Sequence, residues 1–191
     1  MNPKMNPNKT WRLVAERLEG ETNPRRRHVL ELVLAHMKCE AQADIEGVVA
    51  TLSDKPRYVI WSDPDDPVAS PHGSKDAIRG FYNRTIVQTG AHRLEFDCDR
   101  VIVDDDAVFT EGVMRMAYPG QTLVAMGIEV EDPDSYYLAQ SRMGIVWPVD
   151  LDDPEARLTG EEVYSGGSPF DGIADRPISL EDIAPLELAG V

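Results

Sequence analysis

From residue 92 onward the apolar residues change their spacing, and this restricts the possible folds more than any other feature of the chain. In HRLEFDCDRVIV, residues 92–103, Leu94, Phe96 and Cys98 alternate with Glu95, Asp97 and Asp99. A period of two sends the two sets to opposite faces of a strand. Asp104, Asp105 and Asp106 form a turn, and AVFTEGVMRMAY, 107–118, returns as the next strand. DSYYLAQSRMGIVWPVD, 134–150, and RLTGEEVYS, 157–165, continue the series across the acidic loop LDDPEA. Pro148 suits a strand end, where a missing ladder donor does least harm.

Upstream the spacing is helical. KTWRLVAERLEG carries Leu13, Val14 and Leu18 on one side and stops at Gly20. Asn23 caps, and Pro24 opens, a helix whose inner face runs through Val29, Leu32, Val33, His36 and Cys39. Arg25, Arg26 and Arg27 lie near its positive end, which marks them as surface or interface. Asp44 caps a third helix with Ile45, Val48, Val49 and Leu52 inward. RYVIWSD, 57–63, is rich in β-branched and aromatic residues and reads as a strand. Ser74 then caps KDAIRGFYNRTIVQ, which turns Ile78, Phe81 and Tyr82 to a core. Residues 118–135 read either as two short strand extensions or as a flap. Beyond Gly166 the Pro- and Gly-rich chain reads as an irregular arm lying on the body or on a partner subunit. Helices, a strand, a helix and then antiparallel strands make an α+β fold, with helices over one face of a curved sheet. Its divisions are a helical extension at 1–22, one domain at 23–166 and the arm at 167–191.

Composition narrows the function. At 191 residues and 42% hydrophobic, the chain has room for one sizeable core. A net charge of -15 opposes binding to nucleic acid or to an anionic membrane. The polar start has no apolar leader-like run, and no stretch reaches the roughly 20 apolar residues of a membrane helix. Cys39 and Cys98 are too few for a disulfide scaffold, so both read as reduced thiols of a cytoplasmic protein. His28, His36, His72 and His92 lack metal-ligand spacing, and there is neither a phosphate loop nor a nucleophile elbow. No metal or cofactor is expected.

AHMKCEAQADIEGVVATL, the strand YVIWSDP and the run GSKDAIRGFY together resemble the nuclear transport factor two-like superfamily, and within it the SnoaL-like polyketide cyclases and ketosteroid isomerases. Gly73, Ala77, Ile78, Phe81 and Tyr82 fill the places of that family's helical motif, and the resemblance spans about residues 28–166. It implies a cone: a bent antiparallel sheet wrapped round the helices, with an apolar cavity at one end and homodimers joined through the sheet.

The resemblance also implies site residues. Ketosteroid isomerases keep an Asp base after the first strand, followed by Pro-Val. Asp66, Pro67 and Val68 match it, at a spacing one residue shorter, and Asp63 competes. If YVIWSD is a regular strand, Val59, Trp61 and Asp63 share a face, and a carboxylate beside indole is desolvated toward neutral-range proton transfer. The alternative is that Asp63, Asp65 and Asp66 are turn formers beside prolines. His36 stands where those enzymes carry an oxyanion-binding tyrosine. It could donate that bond or shuttle a proton, or be a satisfied core histidine. Their second, protonated Asp has no counterpart in MGIVW. His72 lines the mouth or is an exposed loop residue; Tyr58, Tyr82 and Trp147 shape the pocket or simply pack. Glu111 and Arg142 are an anchor across the cone or a cross-strand pair on its outside.

These readings point to a cofactor-independent acid/base enzyme: an isomerase, cyclase or dehydratase acting on a small apolar carbonyl compound of polyketide or steroid-like type. A non-catalytic binding or interaction module of the same fold is the alternative. Epoxide hydrolysis, with Glu111 and Arg142 around a water, is a third.

Overall fold

The computed structural model describes residues 4–187. Three N-terminal helices, α1 (Lys9–Glu19), α2 (Pro24–Ala41) and α3 (Ile45–Ala50), precede strand β1 (Leu52–Ile60). Helix α4 (Lys75–Tyr82) runs into one wider turn, Asn83–Val87. Then come β2 (Leu94–Val103), β3 (Ala107–Pro119), the short helix α5 (Gly120–Ala125), β4 (Tyr136–Pro148), β5 (Leu158–Ser165) and the two-residue β6 (Pro177–Ile178).

The caps expected from sequence form. Asn23 Oδ1 accepts from the amides of Arg25 and Arg26, Asp44 from Gly47, and Ser74 from Ala77. Each satisfies a donor that the first helical turn leaves free. Arg26 meets Asp104 and Asp105 of the β2–β3 turn, which offsets its place near the positive helix end.

The strands lie in the order β1-β5-β4-β3-β2, with β6 added against β4. All pairings are antiparallel except β1 with β5, which is parallel. Val108 and Thr110 of β3 and Ile145 and Trp147 of β4 point to the helices and are buried. Against them pack Val29, Leu30, Val33 and Met37 of α2, giving one core that holds the cone together. Burying side chains of this size stabilises by about 1.5–3 kcal/mol each before ordering costs are set against it.

Three sequence readings change. The first strand begins at Leu52 rather than Arg57 and ends at Ile60, so Trp61 and Asp63 lie beyond it. TLVAMGI is not a strand extension: Gly120–Ala125 is helical, with Leu123 buried in a second small core with Tyr118, Tyr137 and Ile173. Glu95 is not free on a solvent face. It is 1% exposed, accepting from the Asn6 amide and from Arg115. The N-terminal segment covers that side of β2, and Thr10 Oγ1 takes the Phe96 amide of this edge strand. Covering an edge removes a template for unwanted strand pairing. The arm lies along β4, and Met5 pairs with Ile183, so the two ends of the described chain meet.

Candidate active site

On the concave side of the sheet, α2, β1, α4 and β5 bring polar groups into the core. His36 lies at 0% exposure among Tyr58 from β1, Tyr82 from α4 and Glu161 from β5. Tyr58 and Glu161 are opposite one another in the β1–β5 register, which sets their side chains next to each other. The indole of Trp147 meets the imidazole edge-on at 5.2 Å and is itself held by Thr110.

The hydrogen bonds place a proton on one imidazole nitrogen. Thr51 Oγ1 donates to the Val48 carbonyl at 2.7 Å, so the same oxygen accepts from His36 Nδ1 at 2.7 Å. His36 Nε2 faces Glu161 Oε1 at 3.1 Å. The hydroxyls of Tyr58 and Tyr82 each lie 3.2 Å from the same nitrogen, so Nε2 sits within one hydrogen-bonded cluster with Glu161. Tyr82 donates to the same Glu161 oxygen at 3.0 Å, and the hydroxyls of Tyr58 and Tyr82 are 3.0 Å apart. Burial first, and then the Glu161 charge, hold both phenols well above their ordinary pKa. They stay protonated and donate.

Glycine makes this placement possible. Gly160 has φ +148°, and a Cβ there would lie 2.2 Å from the Arg57 carbonyl oxygen. This break lets Leu158, Glu161 and Val163 all reach buried positions, which strict alternation forbids.

The residues singled out from sequence therefore divide. His36, Tyr58, Tyr82 and Trp147 come together. Asp63 and Asp66 do not join them. Asp63 is exposed, and Asp66 Oδ1 accepts from the Val68 amide in a loop turn, as expected of turn formers beside prolines. Trp61, 45% exposed, stacks on Tyr164 at 5.6 Å instead of sharing a buried face with Val59. His72 is exposed in the loop that bridges to Arg57. Glu111 and Arg142 meet at 2.6 Å on the convex face, where Asp99 and Arg100 complete an exposed network. Such a network adds little to stability. Arg142→Ala is accordingly expected to leave both the thermal unfolding midpoint and any turnover near wild type.

Glu161 and Glu40 escaped the sequence reading. Glu40 follows His36 by one helical turn, and His-x-x-x-Glu on an inward face was its available signal. Among the described residues, no group of three His, Cys, Asp or Glu side chains is arranged to hold a metal ion. No helix among them is long and apolar enough to cross a membrane.

A SnoaL-like domain model matches residues 33–131, just over half of the chain, and the chain belongs to that family. Among solved structures, a candidate SnoaL-like polyketide cyclase from Shewanella putrefaciens aligns over 86% of this chain and 92% of its own, with 13% identity and a TM-score of 0.61. One from Shewanella denitrificans aligns over 81% and 97%, at 14% identity and a TM-score of 0.59. TerC, co-crystallised with polyporic acid, aligns over 78% and 98%, at 15% identity and a TM-score of 0.54. At these identities the likeness establishes the cone fold alone. No curated protein matches the chain by sequence.

Proposed function

We propose that the chain is a cofactor-independent acid/base enzyme acting on a small apolar carbonyl compound, with Glu161 and His36 as its proton-accepting pair. The observation that carries this reading is the 3.1 Å contact of His36 Nε2 with Glu161 Oε1 inside the core. Glu161 Oε2 has no hydrogen-bond partner among the described residues. Glu161 as a whole is 7% exposed. Oε2 takes a proton from carbon next to the substrate carbonyl. His36 and Tyr82, both bonded to Oε1, hold the carboxyl in place for that transfer. Family membership and the co-crystal of TerC with polyporic acid support a small-molecule ligand.

This moves the base from Asp63 or Asp66 to Glu161, and gives His36 the role of positioning that carboxyl rather than that of oxyanion donor. The epoxide-hydrolase reading loses its residues, since Glu111 and Arg142 lie on the convex face. The test is exchange of α-hydrogens for deuterium in D2O, followed by NMR on 4-phenylbutan-2-one. Exchange faster than in buffer supports the reading, and exchange at the buffer rate sinks it.

The homodimer implied by the family has its own support. Ile102, Tyr164 and Trp61 are 56%, 46% and 45% exposed, and with Phe109 they run across the convex face. An apolar stripe of this extent on a sheet suits contact with a second copy. Tyr164→Glu is expected to convert a dimer to a monomer in light scattering, and a dimer that persists at micromolar concentration would place the interface elsewhere.

A further inference from the structure

We infer that Thr51 is a positioning residue: its hydroxyl holds the His36 hydrogen on Nδ1, so the imidazole gains or loses a proton only at Nε2, beside Glu161. This rests on the acid/base reading above and adds to it the residue that keeps the facing nitrogen free to act in both directions.

The backbone of Thr51 is fixed on two sides. It closes α3 and directly precedes β1. Its amide donates to the Val48 carbonyl at 3.1 Å, and its own carbonyl accepts from the Leu158 amide at 3.1 Å. A helix end and the start of β5 thus pin a residue that is 8% exposed. A β-branched side chain on such a backbone has little freedom at χ1. Its hydroxyl has one hydrogen and two acceptor positions. The hydrogen goes to the Val48 carbonyl, 2.7 Å away, which can only accept. What remains for His36 Nδ1, also at 2.7 Å, is a lone pair. Nδ1 therefore carries a hydrogen whether the ring is neutral or charged.

The consequence lies at the other nitrogen. Nε2 is 3.1 Å from Glu161 Oε1. With one hydrogen fixed on Nδ1, Nε2 can donate to a charged carboxylate and can accept from a protonated carboxyl. Glu161 keeps a partner before and after it takes a proton. Without the Thr51 oxygen, a hydrogen on Nδ1 would be buried with no acceptor, which is costly. The neutral ring would then carry its hydrogen on Nε2 and could only donate there. A partner that only donates favours the charged carboxylate over the protonated one and weakens the base. Thr51 and Glu161 bond to opposite ring nitrogens, so Thr51 acts through His36 and takes no part in the transfer itself.

The test reads the two ring nitrogens by NMR of the full chain labelled with ¹⁵N-histidine, the His36 signal being assigned by its loss in His36→Gln. Wild type is expected to show a protonated Nδ1, and Thr51→Val to show the hydrogen moved to Nε2. Exchange of 4-phenylbutan-2-one should fall roughly 10–10²-fold in Thr51→Val, as when a group that orients a histidine is lost, and stay within about threefold in Thr51→Ser, which keeps the hydroxyl. Thr51→Ser should also keep the hydrogen on Nδ1. A bare Nδ1 in the wild type overturns the proposal, and that spectrum needs no variant to fold. So does an Nδ1 still protonated in Thr51→Val, a moved hydrogen with unchanged exchange, or an equal loss of exchange in the serine and valine variants. Wild-type exchange at the buffer rate sinks the acid/base reading and the effect on Glu161 together. The nitrogen spectra, which need no substrate, tell that failure from a wrong account of Thr51.

Discussion

Glu161→Gln is expected to lose 4-phenylbutan-2-one exchange by on the order of 10²–10⁴-fold, the usual contribution of a positioned base. Glutamine keeps the length and planarity of the side chain. Its amide can still accept from Tyr82 or meet His36, so the buried network remains largely bonded and the protein should fold. What disappears is the carboxyl able to take the substrate proton, whose Oε1 lies 3.1 Å from His36 Nε2. Circular dichroism and the unfolding midpoint control for structure. Glu161→Asp adds a finer measure. It retains the acid but withdraws it by one methylene, and misplacement of about 1 Å can cost 10²-fold. Full activity in Glu161→Gln would show that the cluster only packs the core. Asp63→Asn and Asp66→Asn should then be assayed for the base.

Most of the architecture was legible because its signals are local. Caps at Asn23, Asp44 and Ser74 act within one turn, and the period-two run from Leu94 needs only its own residues. The misread parts depend on distant chain. Ser53–Pro56 carries no strand pattern, with Asp54 and Lys55 exposed, yet it lies within β1, which β5 pairs on either side of it, at Leu52 and at Arg57–Ile60. β5 lies about a hundred residues away and runs parallel. TLVAMGI has strand composition, but the backbone of Gly120 abuts Asp132 and Pro133 and starts a helix there. Glu95 reads as solvated by alternation alone, and only the folded N-terminal segment covers it.

The site was legible to the same limit. His36 and Tyr82 sit on faces that spacing predicts to be inward. Tyr58 reads as a strand aromatic that shapes the pocket or packs, though alternation sets it opposite Val59. Their carboxylate partner gives no such signal. In TGEEV two glutamates stand side by side after a glycine, and regular alternation gives no reason to choose Glu161 as the buried one. Asp63 and Asp66 drew attention through a family motif, whereas Pro64 and Pro67 beside them favour a solvated turn. Pairing, not residue type, selects the acid.

Gly160→Ala tests that pairing, and it is expected to have the largest effect on stability of any change considered. A φ of +148° is costly for a residue with a side chain, by about 1–3 kcal/mol. The new methyl would also meet the Arg57 carbonyl oxygen at 2.2 Å and the Tyr58 ring at 2.8 Å. Neither atom is the free end of a flexible chain, so the backbones of β1 and β5 must separate. A total loss of about 3–4 kcal/mol follows, or roughly 10 °C in unfolding midpoint for a chain of this length. The same separation pulls Tyr58 and Glu161 apart, since they are neighbours in that register. Activity should therefore fall even at temperatures where the variant is folded. Thermal unfolding and exchange kinetics on one preparation separate the two effects. A variant with normal stability would contradict the Gly160 geometry. A destabilised variant with full exchange activity would free Glu161 from the dependence on this strand break.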